Sequence, residues 1–127
     1  MKLVYYAHPV SDYDTDHEIA GIRMLEKAGF VVLNPNNPAT ALEYKLAKVE
    51  DPDKAMEVFY RLIDRCDVLV FQSFEDNMIS SGVSLEIDYA RFHARPVFEM
   101  PYPNVLTERA LTREETVKRV QALRKAR

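Results

Sequence analysis

The segment Ser80-Ser81-Gly82-Val83-Ser84-Leu85-Glu86 follows the apolar run Val68-Leu69-Val70-Phe71 and leads into Ile87-Asp88-Tyr89-Ala90. It reads as a strand, a short loop and a helix that opens on small hydroxyl residues, with a carboxylate just inside. A helix start presents backbone N–H groups and the positive end of a dipole, which favour an anion such as a phosphate. A glutamate beside such an anchor can attack an electrophilic carbon of the molecule that carries the phosphate. The plainer alternative is that Ser80 or Ser81 only caps the helix and Glu86 only complements its dipole.

Other chemistry-bearing residues cluster at segment ends. Tyr5 lies near the end of Leu3-Val4-Tyr5-Tyr6-Ala7, followed by His8, Ser11 and Asp12. A tyrosine hydroxyl can orient a carboxylate, and a histidine can contact a ligand or shuttle a proton. Equally, Tyr5 could be core and His8 a turn residue. Asn34-Pro35-Asn36-Asn37-Pro38 offers asparagines for a base or sugar, although turn formation explains them too. Neither a GxGxxG loop nor a P-loop lysine is present, which argues against dinucleotides and nucleoside triphosphates. One cysteine and three scattered histidines (His8, His17, His93) argue against a zinc site.

The elements that must position these residues alternate in type. Strands are expected at Leu3–Ala7, Phe30–Leu33, Asp67–Phe71 and Pro96–Met100. A helix capped by Thr15 with Glu18 at capping-box spacing carries Ile19, Ile22 and Leu25 and stops at Gly29. A mixed helix spans Ala39–Val49, and Asp51-Pro52 starts another with Met56, Phe59, Leu62 and Ile63 as its buried stripe. The serine loop opens a helix running to about His93, and Thr112 with Glu115 caps a last one bearing Val117, Val120 and Leu123. Such alternation predicts an α/β fold, a doubly wound parallel sheet of four to five strands with helices on both faces. Ligands then bind beyond the carboxyl ends of the strands, where strand order reverses.

The 127 residues suit one domain, with 47% hydrophobic and 29% charged residues, values that argue against disorder. A net charge of −3 opposes a general nucleic-acid surface, and the basic stretch Lys118–Arg127 reads as a solvated helix face. Cys66, the single cysteine, precludes an intrachain disulfide and is expected to be a buried thiol. No apolar run approaches a membrane span and no signal peptide is visible, so the expected location is the cytoplasm.

The chain resembles the nucleoside 2-deoxyribosyltransferase superfamily, which includes the nucleoside 5′-monophosphate N-glycosidases. The likeness runs from Lys2 to about Met100. It rests on Tyr5-Tyr6, on Cys66-Asp67-Val68-Leu69-Val70 and on Gly82-Val83-Ser84-Leu85-Glu86-Ile87-Asp88-Tyr89-Ala90, with Pro96-Val97-Phe98 following. The resemblance implies that Glu86 attacks the sugar C1′, that Tyr5 holds it, and that Ser80, Ser81 and Gly82 bind phosphate beside His8 and Ser11. Transferases acting on free nucleosides typically carry an aspartate where this chain has Ser80. An ionised aspartate would repel a 5′-phosphate to which a serine hydroxyl can donate, so Ser80 favours a nucleotide.

Two positions depart from the pattern. Phe59 stands where family members commonly carry an aspartate, and Ala7-His8-Pro9-Val10-Ser11 replaces a glycine-serine turn followed by arginine. The resemblance further implies a homodimer or higher homo-oligomer in which Asn104 or Thr107 approaches the partner's pocket. It implies no metal and no organic cofactor. The expected activity is hydrolysis of a (deoxy)nucleoside 5′-monophosphate at its N-glycosidic bond. Base exchange by a transferase, nucleotide binding without turnover, and a purely structural domain are the alternatives.

Overall fold

Residues of a strand alternate between the faces of a sheet, and a parallel sheet needs apolar cover on both. Leu3–Ala7 (β1) meets that demand residue by residue. Val4 and Tyr6 pack on one face with Leu25, while Tyr5 and Ala7 pack on the other with Ile63, Val83 and Ile87. The structure is a computed structural model and describes residues 2–100 and Lys118. Within them β1 joins Val31–Leu33 (β2), Val68–Gln72 (β3) and Val97–Met100 (β4) in one parallel, four-stranded sheet of order β2-β1-β3-β4. Tyr5 pairs with Leu33 on one side and Leu69 on the other, and β3, buried at every position, pairs Leu69 with Val97.

Helices occupy both faces, as expected for a doubly wound sheet. Asp16–Lys27 (α1) lies over Tyr6 and Val70, while Glu57–Asp64 (α3) and Ser81–Phe92 (α4) lie over Tyr5, Leu69 and Phe71. Pro38–Glu50 (α2) connects β2 to this second layer, its start capped by Asn37, whose side chain accepts from the Thr40 amide. The chain steps outward from β1 to β2, then returns across the sheet to β3 on the far side of β1. Strand order therefore reverses between β1 and β3, and a crevice opens beyond their carboxyl ends.

Three expectations need correction. Asp51-Pro52 does not open the third helix. The Asp51 side chain accepts from the Asp53 amide, and Pro52–Lys54 forms a 3₁₀ turn before α3 begins at Glu57. Bonds three residues apart persist through the junction, from Ala55 to Pro52 and from Val58 to Ala55. The tighter winding directs Ala55, Val58 and Ile63 inward, while Met56, Phe59 and Leu62 are only half-buried. Second, of Ile19, Ile22 and Leu25, Ile19 is 45% exposed, and Leu25 with Ile22 makes the α1 contact. Third, the capping box is only half formed. Glu18 N–H bonds the Thr15 hydroxyl, but the Glu18 carboxylate turns to other partners.

Cys66 is buried as expected, its Sγ donating to the Leu62 carbonyl, and burial pushes the thiol up to about 12. No described helix is long and apolar enough to cross a membrane. The last helix expected after Thr112 lies outside the described residues, apart from Lys118, which is helical and exposed. Asn104 and Thr107 lie outside them as well.

Candidate functional site

The crevice holds a cavity of about 330 Å³, within the range of small-molecule sites. Its first wall is the loop after β1, contributing His8, Ser11 and Tyr13. Its second is the opening of α4, contributing Ser80, Gly82 and Glu86. Tyr44, Met56, Phe59 and Phe74 close the remaining side. Among the described residues no group of three or more histidine, cysteine, aspartate or glutamate side chains converges in a way that could hold a metal ion.

Glu86 sits on the second turn of α4, between Val83 and Ile87. Helical spacing alone would put it on the sheet-facing side of α4, where Val83, Ile87 and Ala90 are buried. It is 7% exposed. Burial pushes its carboxyl up to about 8, offset only in part by hydrogen bonding with Tyr5. Tyr5, itself fully buried on β1, is raised well above the ordinary phenol range, first by burial and then by the Glu86 charge. The Tyr5 hydroxyl and the Glu86 carboxylate lie buried beside each other, and neither Tyr5 Oη nor Glu86 Oε2 has another hydrogen-bond partner among the described residues. A buried acid whose partner is a buried phenol is a costly arrangement, of a kind that clusters at functional sites.

Ser80 is the N-cap of α4 in extended conformation, and its Oγ accepts from the Val83 amide at 3.3 Å. The Ser84 amide bonds the Ser80 carbonyl at 2.9 Å. The amides of Ser81 and Gly82 are those the helix itself does not use. A Cβ added at Gly82 would meet nothing within 4 Å, so this glycine opens space on the pocket rather than filling a tight contact. The Ser81 side chain is exposed and does not line the cavity.

His8 is buried, with both ring nitrogens engaged inside the protein. Nδ1 donates to the Tyr6 carbonyl at 2.8 Å, and Nε2 meets Glu18 Oε2 at 2.6 Å. Because a carbonyl only accepts, Nδ1 carries a proton, and Nε2 faces the Glu18 carboxylate. Glu18 also accepts from Asn36 Nδ2 and from the Asp14 amide. Asn36 thus holds Glu18, and Asn37 caps α2, so neither asparagine lines the cavity. His8 presents its ring to the pocket, stacked on Tyr6 at 4.3 Å and 16°.

A family model described as a domain of unknown function (DUF4406) matches residues 2–99. The chain belongs to that family. The matched span of this DUF4406 domain takes in the β1 loop, α2, the 3₁₀ junction and α4, and so every described wall of the pocket. No curated protein and no solved structure matches the chain.

Three wall residues of the DUF4406 domain, Tyr13, Tyr44 and Met56, were not identified as such from sequence. Helical periodicity assigned Met56 to the core, and Phe59 with it, although the resemblance sets Phe59 at a position where an aspartate is common. Tyr13 follows a 3₁₀ turn at Val10–Asp12, and its ring packs against His8 at 5.0 Å and 52°. Burial, then the carboxylates of Glu86 and Glu18, raise its phenol and keep it neutral. The available signal was the shift from helical to 3₁₀ spacing after Asp51-Pro52, which periodicity counted over a single helix does not register.

Proposed function

We propose that this chain hydrolyses the N-glycosidic bond of a (deoxy)nucleoside 5′-monophosphate. The observation that carries the reading is the placement of Glu86. It is buried beside Tyr5 in a pocket that also receives the Ser80–Gly82 opening of the same helix. The amides of Ser81 and Gly82, with the Ser80 hydroxyl, bind the phosphate. Ionised Glu86 attacks C1′, the C1′–N bond breaks, and its electron pair leaves with the base, which takes up a proton. Water then cleaves the glycosyl ester and regenerates the carboxylate with retained configuration at C1′. Tyr5 positions Glu86, and His8 and Ser11 form the wall over the sugar. Interception of the ester by a second base would make the same site a transferase.

A second reading is favoured by Phe59, which lines the pocket where the resembled family commonly carries an aspartate. It is a nucleotide-binding module without turnover. Incubation with a panel of nucleosides and monophosphates separates the two. Free base from monophosphates supports the hydrolase, binding without release supports the module, and neither outcome leaves an interaction domain.

Ser80→Asp supplies a second check. Aspartate is also a good N-cap, so α4 is expected to form. Its charge is expected to weaken monophosphate binding by about tenfold or more through repulsion, with little change for the nucleoside. Equal losses on both ligands would remove the phosphate role. The proposal also includes a cytoplasmic location and a homodimer in which Asn104 or Thr107 approaches the partner's Ser80. Light scattering at micromolar concentration is expected to give at least twice the chain mass, and a fully active monomer would remove that part of the reading.

A further inference from the structure

The core of the α3 layer does not use all of its large apolar residues. Ala55, Val58 and Ile63 are buried, whereas Met56 and Phe59 are half-buried and line the cavity. Phe59 meets Tyr44 of α2 at 4.8 Å between ring centroids and 55° between planes, a tilted pair that presents an edge and a face. Tyr13 and Phe74 reach the same cavity from two other loops. These side chains come from four separate segments, so no single amphipathic helix accounts for their convergence.

The charge on these walls is as informative as their shape. Among the described lining residues Glu86 is the one carboxylate, and no lysine, arginine or aspartate appears. Burying an ionised group against such a surface, without a partner, is costly. An uncharged flat ring, by contrast, gains from stacking and from loss of apolar surface to water. The Tyr13 hydroxyl, which has no partner among the described hydrogen bonds, can donate to a ring nitrogen or carbonyl.

We infer that the Tyr13–Tyr44–Met56–Phe59–Phe74 half of the pocket is a subsite for a neutral planar ring, chosen by stacking and by exclusion of ring charge. The inference rests on the proposed glycosidase reading for its identification of that ring as the departing base. Selectivity then belongs to Phe59 and its neighbours, and the phosphate anchor at Ser80–Gly82 acts alike on every monophosphate.

The test is calorimetric titration of the Glu86→Gln protein, which prevents turnover and removes repulsion from the carboxylate. Three ligands share one sugar and phosphate: uridine 5′-monophosphate with a neutral ring, orotidine 5′-monophosphate with a ring carboxylate, and ringless ribose 5-phosphate. Uridine monophosphate is expected to bind about tenfold or more tightly than ribose 5-phosphate. Orotidine monophosphate is expected to lose most of that gain. Phe59→Leu, which keeps apolar volume but removes the ring, should lower uridine monophosphate affinity severalfold and leave ribose 5-phosphate unchanged. Phe59→Ala, checked by circular dichroism, gives a second measure of the same difference.

Equal affinity for ringed and ringless ligands would overturn the inference, as would equal affinity for uridine and orotidine monophosphates. Equal losses on both ligand types in the Phe59 variants, or no binding by any ringed ligand, would do the same. Base release by the wild-type protein without a ring contribution to affinity would leave the glycosidase reading standing and remove the subsite. A ring contribution without base release would do the reverse.

Discussion

Glu86→Gln is expected to reduce base release on the order of a thousandfold or more, while nucleotide affinity stays within about tenfold of wild type. The amide is nearly isosteric with the acid and fits the same position beside Tyr5, but it cannot form the glycosyl ester. Single-turnover assays alongside equilibrium binding separate the two effects. Turnover close to wild type in this variant would remove the proposed mechanism. Affinity lost in step with rate would assign Glu86 to binding instead.

The same residue sets a pH dependence. Burial holds the Glu86 carboxyl at about 8, so at neutral pH most molecules carry it protonated. A nucleophile must be ionised, and kcat/KM is therefore expected to rise about tenfold per pH unit below that value and level off above it. A profile that falls through the same range would make Glu86 an acid, with the nucleophile elsewhere. Stability runs in the opposite sense. Between the ordinary glutamate value of 4.5 and about 8, the native protein holds a proton that the unfolded chain has released. Stability from this group is fully present below the lower value and is lost as pH rises through the upper one, at about 1.4 kcal/mol per pH unit in the limit. Glu86→Gln should therefore gain stability relative to wild type as pH rises from 5 to 9, read as denaturation midpoints.

Gly21→Ala is expected to destabilise the protein by about 2 kcal/mol, although alanine is the better helix former by about 1 kcal/mol. Gly21 is buried where α1 crosses β1, and a Cβ there would lie 2.2 Å from the Tyr6 hydroxyl oxygen and 2.8 Å from its ring carbon Cζ. Tyr6 is fully buried, so α1 must lift from the sheet to admit the methyl group. Lifting α1 also moves Glu18 away from His8 and loosens the loop that walls the pocket. Among the described residues the Tyr6 hydroxyl has no hydrogen-bond partner, so Tyr6→Phe alone should be neutral or mildly stabilising. Combined with Gly21→Ala it should recover part of the loss, because the hydroxyl contact disappears while the Cζ contact remains. Denaturant unfolding of the four proteins of this cycle gives the coupling directly. A Gly21→Ala protein as stable as wild type would mean that the close approach of α1 is not tight.

Local patterns in the chain determined the α/β alternation, the four described strands and the capped starts at Thr15 and Ser80. Those features follow from interactions within a few residues: alternation on a strand, helical spacing, and a hydroxyl reaching an amide three positions on. The serine loop and Glu86 were legible for the same reason, since a helix start and a residue on its second turn are set by one short segment. Long-range packing decided the rest. Glu18 has capping-box spacing, yet its carboxylate answers to His8 and Asn36, which only the folded β1 and β2 loops bring within reach. Met56 and Phe59 have core spacing, yet the 3₁₀ junction after Asp51 rotates them toward the cavity, because packing of Ala55, Val58 and Ile63 against the sheet fills the core first. Tyr13 and Tyr44 carry no local mark of a site at all. They meet because strand order reverses between β1 and β3, and that crossing is a property of the whole chain.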